Sequence, residues 1–211
     1  MKRIIRDPFS SISHLMGFLA AIPILLFLII RSRNTYSIIS FAIFGASLML
    51  LYGASAIYHA VITNEKVTEI FRRIDHMMIF VLIAGTYTPI CLITLRGLTG
   101  NILFAAVWIC AILGIIFKIF WMDAPVWISN AIYIFMGWLA IFAFYPIIKS
   151  VSITGIELVL IGGIFYTIGA VIFGLERPKL SAKYFGSHDL FHVFVLLGSA
   201  FHVIFMFACV L

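Results

Sequence analysis

The stretch Ser187-His188-Asp189-Leu190-Phe191-His192 opens the last apolar run of the chain and carries two imidazoles four residues apart. On a helix that spacing puts both rings on one face, one turn apart. Neutral imidazole nitrogens at such a reach suit zinc. Upstream, Ser55 and His59 stand in the same i, i+4 relation and share a face for the same reason. His59, His188 and His192 together make the three-histidine pattern of a catalytic zinc (Zn2+), with a fourth position left for water. Zinc lowers the pKa of such a water to about 7, and a carboxylate beside it can take and return the proton. Asp75 is the candidate for that role, and Ser55 can hydrogen-bond the water, the carboxylate or an oxyanion. Each residue also has a plainer reading. The two late histidines can meet lipid phosphates, Asp75 can complement a helix dipole as an N-terminal charge, and Ser55 can serve helix contact in a bilayer.

These residues need elements to bring them together, and composition says which. The chain has 211 residues, 64% hydrophobic and 10% charged, with a mean hydropathy of +1.20. A soluble domain carries roughly a quarter charged residues, so the expected class is an all-α membrane protein. Barrel strands alternate and do not run apolar for about twenty residues, which excludes a transmembrane barrel. Seven spans are expected, near His14–Ile30, Tyr36–Ile62, Ile74–Leu95, Ile102–Trp121, Val126–Ile148, Ile153–Leu175 and Asp189–Leu211, each close to the ~20 residues a bilayer needs. Residues 1–211 form one seven-helix transmembrane domain on this reading, with 1–13 a short cytoplasmic interfacial lead. No cleavable signal peptide is expected. The loops are too short to hold a second domain. Cys91, Cys110 and Cys209 lie inside apolar runs without metal or disulfide spacing.

The formal charge of +6 reads as topology rather than as nucleic-acid affinity. With the N-terminus inside, one side holds Lys2, Arg3, Arg6, Lys66, Arg72, Arg73, Lys118, Arg177, Lys179 and Lys183, and the other holds Arg31, Arg33, Arg96 and Lys149. That asymmetry predicts a cytoplasmic N-terminus and an external C-terminus. Helix parity then places Ser55, His59, Asp75, His188 and His192 at the same, cytoplasmic end of the bundle. His202 lies ten residues past His192, about 15 Å deeper along a helix, too far to share the metal; an interhelical hydrogen bond is its expected role. His76 points roughly 100° away from Asp75 around the helix and reads as an interface residue, and His14 is a possible neighbour of the site.

Three motifs now matter together: Ser55-Ala-Ile-Tyr-His59; Glu65-Lys66-Val67 through Asp75 to Gly85-Thr86-Tyr87-Thr88-Pro89; and Ser187-His188-Asp-Leu-Phe-His192. On these the chain resembles the hemolysin III family, the bacterial branch of the progestin and adipoQ receptor (PAQR) family, over all seven helices. The resemblance implies a zinc held by His59, His188 and His192, with Asp75 contacting its water and Ser55 beside it. It also implies kinship with membrane hydrolases such as alkaline ceramidases.

The expected function is a zinc-dependent lipid hydrolase of the cell membrane, cutting a ceramide-like amide or ester bond. Its expected partners are membrane lipids, with acyl chains in an apolar cavity between helices. The alternatives are a non-enzymatic regulator of membrane composition or energetics with structural zinc, and a cytolysin that permeabilises membranes. A seven-helix receptor ranks last, since no loop is long enough for obvious coupling.

Overall fold

The computed structural model describes residues 4–179 and 185–211. Lys2, Arg3 and Lys183, which enter the charge asymmetry above, lie outside the described residues. The apolar runs form helices because a backbone in hydrocarbon must satisfy its own polar groups. They are α1 (Pro8–Arg31), α2 (Thr35–Ala60), α3 (Glu65–Pro89), α4 (Leu98–Phe120), α5 (Val126–Gly137), α6 (Phe144–Ser150), α7 (Ile153–Leu175) and α8 (Ser187–Phe205). Five-residue π-helical turns, Ile90–Thr94 and Met206–Val210, extend α3 and α8. A 3₁₀ turn, Leu139–Ala143, joins α5 to α6. Among the described residues, seven helical segments are long and apolar enough to cross a membrane, α5 through α6 counting as one. The outward side chains include Phe120, Phe142 and Ile30, all more than three-quarters exposed, as expected of a lipid-facing surface.

Caps set several of the helix starts. Asn34 accepts from the Ser37 amide at 3.0 Å, Asn64 from Val67 at 3.0 Å and Ser152 from Gly155 at 3.2 Å, each satisfying a backbone donor that the first turn leaves free. Pro8 sits at the first position of α1, where its missing N–H costs nothing. Two starts differ from the sequence expectation. α1 begins at Pro8 rather than near His14, so part of the lead belongs to the first helix, and Ser10 and Ser11 are buried. α3 begins at Glu65, ten residues before Asp75. A helix dipole acts within about the first turn, so Asp75 is not an N-terminal helix charge.

Helices α1, α2 and α3 pack in chain order, and α8 closes back on α1 and α7. Close approach uses small residues. A Cβ at Gly85 would meet Ser47 of α2, and one at Gly114 would meet the Phe80 ring. The fifth span is not continuous, and α3 repairs the break. The Tyr87 hydroxyl donates to the Gly137 carbonyl at 2.7 Å and accepts from the Ala140 amide at 2.9 Å. Those are backbone groups that the interrupted helix would otherwise leave unpaired in hydrocarbon. Trp138 Nε1, at the same break, donates to Thr167 of α7 at 3.0 Å.

Candidate metal centre

The last two turns of α2 and the first two of α8 meet at one end of the bundle, and their histidines converge there. His188 Nε2 lies 3.3 Å from His59 Nε2 and 3.1 Å from His192 Nε2. One ligand atom from each of the three falls within 4.8 Å of the others, a spacing that can hold a metal ion. His59 and His192 are buried and His188 is partly so.

The tautomer of His59 is set from outside. Its Nδ1 meets Asp7 Oδ2 at 3.0 Å. A carboxylate accepts, so Nδ1 carries the proton and Nε2 presents a lone pair toward the other two imidazoles. Ring nitrogens crowded at this distance match the donor set of a bound cation, and a carboxylate behind a ligating histidine is the usual outer support of such a site. The residues therefore fit a metal.

Asp7 was not among the residues singled out from the sequence. The chain at the start of α1 closes over the end of α2: Asp7 N donates to the His59 carbonyl at 2.9 Å, Arg6 N to that of Ala60 at 3.3 Å, and Ser11 Oγ to that of Ala56 at 3.1 Å. Arg6 pairs with Asp7 at 3.0 Å and lies over the Tyr58 ring at 4.1 Å. The hydrogen bond from His59, and after it the Arg6 guanidinium, hold the Asp7 carboxyl down at about 2 against the opposing effect of partial burial. Asp7→Asn should keep the fold and weaken metal binding by roughly 10- to 100-fold, the usual cost of losing such a support. Metal titration against a competing chelator reads this directly, and an unchanged affinity would remove Asp7 from the site.

The α8 pair is anchored from the same segment. Asp189 accepts from the Gly186 amide at 2.8 Å and from Ser10 Oγ at 2.6 Å. One carboxylate thus caps the first turn of α8 and ties it to α1. His14 stacks on His192, centroids 3.9 Å apart at 29°, and meets Tyr52 edge-on at 5.0 Å.

Below the three histidines lies a cavity of about 200 Å³, walled mainly by apolar side chains of α3, α5, α7 and α8. Ser55, Asp75, His188 and His192 all face it, so four of the five site residues expected from the sequence share one chamber, and the fifth, His59, touches two of them. Asp75 is 8% exposed and neighbours Ser55, with His59 in electrostatic reach. Two histidines differ from their expected places. His76 lines the cavity as well, because the cavity wall takes in a broad arc of α3 from Asp75 and His76 to Ile90. His202 bonds within its own helix, Nδ1 to the Gly198 carbonyl at 2.7 Å, and among the described residues it bonds to no neighbouring helix.

Comparison with known proteins finds relatives over nearly the whole chain. The family described as haemolysin-III related matches residues 2–203. The chain is 42% identical over 205 residues to a protein named Hemolysin-3 homolog from Bacillus subtilis (strain 168), covering 96% of this chain and 91% of that one. It is equally 42% identical over 205 residues to Hemolysin-3 of Bacillus cereus, covering 96% and 89%. A match over nearly the whole length, on seven apolar helices, fits a multi-pass bacterial membrane protein, and the chain belongs to the haemolysin III family.

Proposed function

We propose that this protein is a zinc-dependent lipid hydrolase that cleaves an amide or ester bond of a ceramide-like lipid. The observation that carries the reading is that the three imidazoles adjoin an apolar cavity whose wall also holds a carboxyl and a hydroxyl, Asp75 and Ser55. His59, His188 and His192 would hold the metal, and three histidines with a fourth position open are the donor set of a catalytic zinc. Zinc, when bound, supplies a Lewis acid that polarises a carbonyl and makes water acidic enough to react near neutral pH. Asp75 takes a proton from the attacking water and returns it to the departing amine or alcohol. Ser55 orients that carboxyl. The apolar wall holds the acyl chain and keeps bulk water from the reacting bond. The charge asymmetry of the loops supports the cytoplasmic face for this end of the bundle.

The test is turnover. Protein purified with zinc and presented with ceramides and with acyl esters in mixed micelles should release free fatty acid, read by mass spectrometry. No release across such a panel overturns the assignment. The name of the two Bacillus relatives favours a second reading, membrane permeabilisation. Against it, among the described residues the cavity wall offers no row of charges, Asp75 being the one Asp, Glu, Lys or Arg that lines it. Dye release from liposomes at low protein-to-lipid ratio would support that reading, and silent liposomes would dismiss it.

A further inference from the structure

The cavity extends from the histidines toward the middle of the bundle, and its inner wall carries several polar side chains. Almost all are already satisfied by the protein. Thr86 donates to the Leu82 carbonyl, Trp138 to Thr167 and Thr167 to the Gly163 carbonyl, while Tyr87 holds the break in the fifth span and Tyr166 bonds Ser199. His14 and His76, nearer the histidine end, leave ring nitrogens without a partner among the described residues, and deeper in the cavity so does His202. Its Nδ1 faces the Gly198 carbonyl at 2.7 Å; a carbonyl only accepts, so Nδ1 carries the proton. In a neutral imidazole Nε2 is then an acceptor, and among the described residues nothing donates to it. The residue is 7% exposed and lines the cavity.

The ring is also held in place. Tyr166 stacks on it, centroids 5.4 Å apart at 28°. Gly162 makes room for it, since a Cβ there would lie 2.5 Å from both Cε1 and Nδ1. A fixed acceptor in an apolar wall is costly unless something donates to it. His202 lies about 15 Å along α8 from His192, roughly half the ~30 Å hydrocarbon thickness. A lipid whose head is at the histidines therefore has only hydrocarbon at this depth, unless its chain carries a polar substituent.

We infer that His202 forms a second recognition point in the cavity, accepting a hydrogen bond from a hydroxyl carried part-way along the hydrocarbon chain of the bound lipid. The cavity on this view selects chain-hydroxylated lipids over plain ones of equal length. The inference rests on the reading of the cavity as an acyl-chain site.

The test is binding without turnover, on the whole zinc-loaded protein in detergent. A mid-chain hydroxylated octadecanoic acid and plain octadecanoic acid are each competed against radiolabelled octadecanoic acid. The hydroxylated acid should bind roughly tenfold better, the worth of one buried hydrogen bond. An octadecanoic acid with its hydroxyl next to the carboxyl should show no such gain. His202→Phe should erase the preference between the two acids, and His202→Gln, which keeps a side-chain acceptor, should retain part of it. Gly162→Ala, which displaces the ring without removing it, should also erase it, and it decides the matter should His202→Phe lose its zinc. Equal binding of the two acids to the unaltered protein, or a preference that survives in His202→Phe, overturns the subsite alone. Failure of either acid to bind overturns the acyl-chain reading with it.

Discussion

His192→Ala should strip the protein of its metal. The ring is 1% exposed and its Nε2 is 3.1 Å from that of His188. Its loss leaves two nitrogens where a catalytic zinc uses three protein ligands. Affinity should fall by more than the roughly 100-fold upper cost of losing an outer hydrogen-bond partner, so metal should be absent after ordinary purification. Stability should fall as well. His14 stacks on this ring at 3.9 Å, and truncation opens a void beside it, in addition to the loss of whatever binding energy the metal contributes to the folded state. His59→Ala and His188→Ala should behave alike in metal content. His76→Ala, which removes a cavity-lining imidazole outside the converging set, should keep one metal per chain. The measurement is the metal-to-protein ratio by elemental analysis, together with the melting temperature with and without added zinc. An alanine variant of any of the three that still holds a full equivalent at undiminished affinity would end the three-histidine assignment.

What the sequence made legible here follows from periodicity. Seven runs long enough to span gave the helices, and the i, i+4 spacing of Ser55 with His59 and of His188 with His192 put each pair on one face. Counting crossings brought both pairs and Asp75 to one end. What it hid is of three kinds. The first is contact between segments with no periodic relation. Asp7 reaches His59 only because the start of α1 folds over the end of α2, and nothing in the spacing of the two residues announces it. The second is polar helix. Hydropathy begins the third span at its first apolar run, whereas α3 starts at Glu65, with an amphipathic polar turn outside the apolar core. The capping pattern of Asn64 before Glu65 was visible as a start signal. The third is a break inside an apolar run. Gly137-Trp138 reads as uninterrupted span, and its repair by Tyr87 is a tertiary contact from another helix. His202 belongs to the same lesson: its depth was readable from helical rise, while its choice of a carbonyl in its own helix depends on the room that Gly162 leaves beside it.

The remaining large effect separates chemistry from architecture. Asp75→Asn should leave metal content intact and lower lipid turnover by about 10²- to 10⁴-fold, the usual range for a lost general acid–base group. Asparagine keeps the shape beside Ser55 but cannot carry the proton. The sign of the stability change tells the two roles apart. Asp75 is 8% exposed, three turns inside α3, with no cationic side chain in an ion pair with it among the described residues. An ionisable group so placed in a membrane helix is costly to the fold, and the amide removes that cost. The melting temperature of Asp75→Asn should therefore equal or exceed that of the unaltered protein while its activity collapses. A residue kept for packing would do the reverse, lowering the melting temperature and sparing the rate. Melting and metal content can be read before any substrate is in hand. A variant that loses metal or melts markedly earlier would make Asp75 a structural support. One that melts later yet turns over lipid at the original rate would leave proton transfer to another group on the cavity wall, with His76 the nearest in sequence.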